Sequence, residues 1–279
     1  EVNSTFYEMP SPGTVKTWRR TVPPNFEFSV RCHQSVTHKN QLEPTEETYK
    51  IFNEMIRICQ DLNSNFLVLQ TPESLEFINE KIESIRNFFS SVNLKGIRIA
   101  WEIRQRQGRS PPADLINLMR DNNFIHCVDL SKENPAYDSD IIYTRLFGKG
   151  EHNIYQFTDE ELKTIDKRAT AKEYDTIAVS FHCVKMYKDA ARFKAYKQKG
   201  KFPSVTRSTG TKSLLEVLRE DAKFPSTKQE LIRHQGWKII DLPPEKRIHA
   251  SEMLQKLPDK TYKKVSEVKE ALENPNQTT

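Results

Sequence analysis

The chain has only 8 glycines in 279 residues, and none of its strand-like runs leads into a G-x-G-x-x-G or G-x-x-x-x-G-K pattern. This argues against the dinucleotide-binding and P-loop classes, whose grip on phosphate needs glycine so that the backbone can come close. The four cysteines, Cys32, Cys59, Cys127 and Cys183, form no C-x-x-C pair and no zinc spacing, which fits a reducing, cytoplasmic setting. No run reaches the roughly 18 apolar residues that cross a membrane, and no signal peptide is visible, so no membrane partner is expected. H-x-x-E-H and H-x-H are absent as well. His33, His38, Glu102, Asp129 and His182 are of metal-ligand type but carry no metal-site spacing, so no metal and no cofactor is assigned.

What is there is a charged, moderately apolar chain. Hydrophobic residues make up 36% and charged residues 29%; 43 Lys and Arg against 38 Asp and Glu leave a formal charge of +5. A mild basic excess permits a small anionic ligand or a nucleic acid without demanding either. Strand-like runs fall at Val2–Phe6, Phe26–Cys32, Phe66–Gln70, Ile97–Ile103, Phe124–Leu130, Ile141–Phe147 and Thr176–Cys183. Between them lie helical patterns. Glu46–Asn63 spaces Tyr49, Phe52, Met55, Ile56, Cys59 and Leu62 by threes and fours. Pro72–Phe89, Ala113–Asp121 and Asp159–Thr170 repeat the theme, and Ser11-Pro12 opens a helix through Trp18. Ser131–Asp140 is too short for a full crossover helix. Strands alternating with helices predict a parallel sheet, either an open doubly wound one or a (β/α)8 barrel lacking one strand.

Beyond about Gly200 the composition changes. Residues 206–224 read as a linker and short helix. Residues 225–273 read as a small helical module, with Ser226 and Gln229 as a capping pair. Residues 274–279 read as a disordered tail.

The segment Glu1-Val2-Asn3-Ser4-Thr5-Phe6-Tyr7, with Trp18, Phe26-x-Phe28-x-Val30-Arg31 and Thr37-His38, resembles the YecE-like family (domain of unknown function 72). Leu69-Gln70-x-Pro72, Glu102-Ile103-Arg104 and Tyr143-x-Arg145-Leu146-x-Gly148 continue the likeness in register over about residues 1–200. The resemblance implies a TIM-type barrel over residues 1–205, with no established reaction. It also implies that Glu1 lies on the second barrel strand and that the sequence is an N-terminally truncated copy. Two departures, Gln107-Gly108 for the usual Ser-Trp and His182 for the usual asparagine, fall where a substrate would be met. Leu254-x-x-Leu257-Pro258-x-x-x-Tyr262 with Glu267-Val268 resembles a second small helical family (domain of unknown function 2795).

In such a barrel the polar residues at strand C-terminal ends line the mouth. Period-2 alternation puts Glu1 with Asn3, Arg31 with His33, Glu102 with Arg104 and Tyr143 with Arg145, while Gln70 and His182 end their strands. Arg31, Arg104 and Arg145 can clamp carboxylate or phosphate oxygens. Glu1 and Glu102 can serve as acid and base, with His33, His38 or His182 shuttling protons. Asn3, Tyr7, Tyr143 and Tyr155 complete the candidate substrate contacts, Tyr155 reading equally well as a plain loop anchor. Against all this stands mutual neutralisation, in which pairs of the Glu1–Arg31 and Glu102–Arg145 type simply neutralise each other in the barrel interior. Three functions therefore stand: a hydrolase-type enzyme for a small anionic or phosphorylated substrate, a nucleic-acid-associated protein, and a non-catalytic scaffold. Trp101, one residue before Glu102, should face the helices, and His126 should be packed.

Overall fold

Short runs of β-branched and aromatic residues become strands in the computed structural model of the protein, which describes residues 1–104 and 110–274. Residues 105–109, Gln107-Gly108 among them, and the tail beyond Asn274 lie outside the described residues. The chain divides into two compact units: Glu1–Val128, Glu133–Arg145 and Lys172–Ser180 form the first; Asp129–Lys132, Leu146–Ala171 and Phe181–Thr279 form the second.

In the first unit, β1 (Ser29–Arg31), β2 (Phe66–Thr71), β3 (Arg98–Ile103) and β4 (Ile125–His126) pair in that order, all parallel. Val2 adds a parallel bridge to Val30 on one side, and Val128 bridges Thr144 on the other. Thr144 lies in β5 (Ile141–Leu146), which pairs with β6 (Thr176–Phe181). The last residue of each of these two strands belongs to the second unit. The crossovers carry α1 (Pro12–Arg20), α2 (Glu46–Leu62), α3 (Asn79–Ser90) and α4 (Ala113–Asp121). Ser11 caps α1 by accepting from the Thr14 N–H, and Thr45 caps α2 in the same way through Thr48. Asn63 ends α2 in the left-handed region, a conformation asparagine tolerates.

Strand alternation sorts the side chains into two layers. Leu67, Leu69, Ile99 and Trp101 join Phe52, Met55, Ile85 and Phe88 in the core between sheet and helices. Phe66, Val68, Ala100, Cys127 and Tyr143 cluster on the opposite, inner face. Tyr143 on β5 donates to the Ser29 hydroxyl on β1 at 2.6 Å, so the sheet curls until non-neighbouring strands touch. By the same parity Arg31, Gln70, Glu102 and Arg145 share the inner face, one layer toward the strands' C-terminal ends.

The second unit contains α5 (Asp159–Ala169), α6 (Met186–Lys199), α7 (Thr211–Asp221), α8 (Lys228–Gln235), α9 (Ala250–Leu254) and α10 (Val265–Glu273). Two antiparallel pairs join them: β7 (Ser226–Thr227) with β10 (Thr261–Tyr262), and β8 (Ile239–Leu242) with β9 (Lys246–His249). Leu214, Leu218, Leu231, Ile240, Leu254, Tyr262 and Val268 form its apolar core. A buried ion cluster ties the late elements to α5: Asp159 accepts from Arg192 at 2.6 Å and from Arg247 at 2.5 Å. Arg192 also holds Asp189 at 2.7 Å.

Several expectations change. Val2–Phe6 is not a strand: after the bridge at Val2 the chain enters a 3-10 turn, Ser4–Phe6. The Thr5 hydroxyl causes this, lying 2.9 Å from the Val2 carbonyl and 2.6 Å from that of Arg31. The helix placed at Pro72 begins at Asn79, after a turn in which the Leu75 N–H donates to Pro72. The late module is not purely helical, since it contains the two strand pairs. Its capping box is Thr227 with Glu230, one residue later than Ser226 with Gln229. Trp101 does face the helices, fully buried, with its indole N–H on the Thr71 hydroxyl at 3.2 Å.

His126 is packed as expected, at 7% exposure. Its Nδ1 accepts the Ala136 N–H at 2.9 Å, so the imidazole holds the short crossover after β4 against the sheet. Burial pushes its pKa down from 6.5 to about 4. Between those values the unfolded chain binds more protons than the folded one, so stability is full above pH 6.5 and is lost as pH falls toward 4. The loss from this group is about 3 kcal/mol. The stability difference between wild type and His126→Gln, read by urea unfolding, should therefore shrink by about 2–3 kcal/mol between pH 7 and pH 4. An unchanged difference would show that the imidazole is not held neutral.

Candidate functional site

Arg145, near the C-terminal end of β5, is 1% exposed and lies among three partners from three other segments. Its Nη2 is 2.9 Å from Glu1 Oε1 and its Nε 3.1 Å from Glu1 Oε2. Its Nη1 meets Glu102 Oε2 and also donates to Gln70 Oε1 at 3.1 Å. Gln70 and Glu102 are register partners on β2 and β3, which is why both reach the same guanidinium. Burial opposes the arginine's charge, but Glu102 and Glu1 outweigh it and hold the Arg145 pKa above its ordinary value. A buried charge without such partners would cost several kcal/mol.

Arg31, at the end of β1, is treated differently. Its Nη2 donates to the same Gln70 oxygen at 2.7 Å, so one amide bridges two guanidiniums. Among the described residues no carboxylate lies within ion-pair distance of it, and its buried Nε has no hydrogen-bond partner. The guanidinium instead sits over the Phe6 ring, 3.7 Å from the centroid. Burial, followed by the repulsion of Arg145, lowers its pKa; Glu1, Tyr7 and Glu102 partly offset this. Arg104, half exposed just beyond β3, donates to Glu102 Oε1 at 3.0 Å.

His38 belongs to a π-helical turn, Ser35–Lys39, closed by the Asn40 N–H on the Ser35 carbonyl at 2.9 Å. Such turns recur at functional sites. Its Nδ1 lies 2.9 Å from the buried Thr37 hydroxyl, and its ring meets Phe6 edge to face at 4.9 Å. Burial lowers its pKa, and Arg31 and Arg104 lower it further. His33 is half-buried, accepts the Ser35 N–H on Nδ1 at 3.2 Å, and is also lowered chiefly by burial. Tyr7 is 67% exposed with its ring against Phe6 at 5.0 Å. Tyr143 is buried one layer below, between Ser29 and Glu1, and burial pushes its phenol well above the usual value. A cavity of about 220 Å3 beside that layer is lined by Glu1, Ser29, Phe66, Tyr143 and Ser180, among others.

The structure thus brings together Glu1, Arg31, Gln70, Glu102, Arg104, Tyr143 and Arg145, with His38 near enough to Arg31 and Arg104 to feel their charge. Asn3 does not project from a strand next to Glu1. It begins the 3-10 turn at φ −88° and ψ −22°, so the alternation that paired them does not apply. Tyr155 and His182 belong to the second unit. The Tyr155 hydroxyl donates to Glu161 Oε1 at 2.5 Å, and its ring packs so closely on Gly148 that a Cβ there would collide with it. The His182 ring stacks on Phe147 at 5.1 Å. Phe6 is the residue the sequence reading missed. As the apolar end of a strand-like run it reads as core, and nothing in its type marks it out. Among the described residues no group of three or more His, Cys, Asp or Glu is placed to hold a metal ion, and no helix is long and apolar enough to cross a membrane.

Inward-facing polar residues near the C-terminal ends of parallel strands, with helices outside, define a TIM-type (β/α) barrel protein. Over residues 1–201 the sequence matches the family described as protein of unknown function DUF72, and the chain belongs to that family. A DUF72 family protein (EF0366) from Enterococcus faecalis V583 has a similar crystal structure, at 17% identity and a TM-score of 0.52, covering 71% of this chain and 82% of that one. A D-tagatose 3-epimerase-like protein is similar at 16% identity and a TM-score of 0.51, covering 68% and 82%. At these identities the likeness concerns fold alone. No curated protein matches the chain.

The network around Arg145 has a direct energetic consequence. Arg145→Met removes the arginine from Glu1 and leaves Glu102 only the half-exposed Arg104, and should cost roughly 3–5 kcal/mol in urea unfolding. Adding Glu1→Gln and Glu102→Gln removes the under-compensated charges and should recover more than about 1 kcal/mol. Strictly additive losses would show that the three side chains do not act as one ion cluster.

Proposed function

We propose that the first unit carries an enzyme site for a small anionic substrate, bound by Arg31 with Arg104 and His38 beside it. The observation that carries this reading is the asymmetry between the two inner arginines. Arg145 is saturated by Glu1 and Glu102, whereas Arg31 has an amide and an aromatic face as partners and no hydrogen-bonded carboxylate among the described residues. A half-desolvated guanidinium with unspent donors favours a carboxylate or phosphate group.

Acid–base work in this reading falls to Glu102. Glu1 is held by two arginine nitrogens and its side chain is 2% exposed. Glu102 shares one oxygen with Arg104, which is 49% exposed and can swing toward an arriving anion. Loss of that contact frees a carboxylate oxygen next to the bound substrate. Hydrolysis of a phosphoester bond, with Glu102 as general base, is the reaction class that suits these groups.

Arg31→Gln should weaken binding of a phosphate- or carboxylate-bearing metabolite roughly 10–100-fold, the value of a charge-assisted hydrogen bond. The melting temperature should change little, because no ion pair is broken. Isothermal titration calorimetry at about 0.15 M salt against a panel of such metabolites checks this. Wild-type affinity in Arg31→Gln would remove the arginine from the site. Binding only of nucleic acid, falling steeply with salt, would replace the reading with backbone recognition.

A further inference from the structure

Phe6 touches two members of the anion site, Arg31 and His38, and the neighbouring Tyr7. Arg31 lies 3.7 Å above its ring centroid, the His38 ring meets it edge to face at 4.9 Å, and Tyr7 packs against it at 5.0 Å. The ring is itself fixed. Phe6 is 7% exposed and ends the 3-10 turn that the Thr5 hydroxyl pins between the Val2 and Arg31 carbonyls. One aromatic side chain therefore sets the position of a permanent cation and of a titratable imidazole together.

We infer that Phe6 is the positioning residue of this site, holding Arg31 and His38 so that a dianion binds between them with uptake of a proton by His38. The inference rests on the anion-site reading proposed above. Charged groups reach His38 from two elements: Arg31 on β1 and Arg104 beyond β3. Thr37 occupies its Nδ1 and Phe6 its ring. With Nδ1 engaged, Nε2 is the nitrogen left to meet a ligand. In the free protein, burial and both arginines keep the imidazole neutral at pH 7. A bound dianion reverses the local field, so the complex holds one proton more than the free protein. Affinity then rises as pH falls toward the imidazole range, which is the direction linkage requires when the bound state takes up protons.

Sulfate is the probe of choice, because its own charge does not change between about pH 5.5 and 8. Calorimetric titration of the full chain with sulfate, in two buffers of different ionisation enthalpy, reads affinity and proton uptake together. Wild type should bind more tightly at the lower pH with net proton uptake, and His38→Gln should abolish both the uptake and the pH dependence. Phe6→Leu should weaken sulfate binding about tenfold, the scale of a desolvated cation–π contact, and reduce the uptake. Phe6→Tyr should restore both. A purely structural role for Phe6 would lower the melting temperature without altering proton uptake per sulfate bound. Phe6→Leu with wild-type affinity and uptake, or pH-independent binding by wild type, overturns the inference and leaves the anion site standing. Absence of sulfate binding to wild type at either pH overturns the anion site itself.

Discussion

The buried guanidinium of Arg145 is the constraint on which the inner face of the first unit depends. A side chain 1% exposed cannot keep its charge without partners, and it has two carboxylates and an amide. This one requirement fixes Glu1 beside β5, fixes Glu102 on β3, and turns the Gln70 oxygen toward the strand ends. It also spends the nearby acids. The second inner arginine, Arg31, is left in a cluster whose carboxylates are already engaged, resting on an aromatic ring instead. The positive character around Arg31 follows from how completely Arg145 engages the nearby acids.

The second unit solves the inverse problem. There one carboxylate, Asp159, at the start of α5, sits between two buried arginines, Arg192 and Arg247. Those arginines lie on α6 and β9, so the charge joins the end of the family-matched region to elements beyond it. Bonds between side chains and backbone add to the junction: Gln156 Oε1 accepts the Ile239 N–H at 3.0 Å, and His249 Nε2 lies 2.8 Å from the Gln156 carbonyl. Here the partners of each buried charge come from distant points in the sequence, so they carry information about tertiary packing. Such clusters constrain arrangement more than they add net stability, because desolvation offsets much of the attraction.

Much of this was legible in the sequence where a single period governs the side chains. Alternation on β2, β3 and β5 correctly placed Gln70, Glu102, Tyr143 and Arg145 inward, and three-four spacing found α2 and α4 to within a residue of their ends. It failed where a local hydrogen bond overrides the period. Thr5 folds the Glu1–Tyr7 segment into a turn, which moves Asn3 off the strand and brings Phe6 under Arg31. It also failed where elements are too short to show a period, as in the strand pairs of two and four residues late in the chain. The late capping box was misplaced by one because Ser226-Thr227 and Gln229-Glu230 offer two overlapping S/T-x-x-E/Q patterns, and only packing selects between them. Which arginine is saturated was not readable at all. The sequence reading paired Glu1 with Arg31 and Glu102 with Arg145; the second pair forms, but Glu1 goes to Arg145 as well, because the curl of the sheet decides which side chains meet.

The inner face divides its labour in the reading proposed above: Arg145 holds the acids, and Arg31 receives the anion. Side-chain nitrogen NMR resolves the two guanidiniums separately, so a sulfate titration followed on their Nε–H signals tests the claim most directly. The account predicts a saturable shift of the Arg31 signal while that of Arg145 stays in place. A shift of Arg145 with Arg31 unmoved would contradict it, because the anion would then be displacing Glu1 or Glu102 from the cluster.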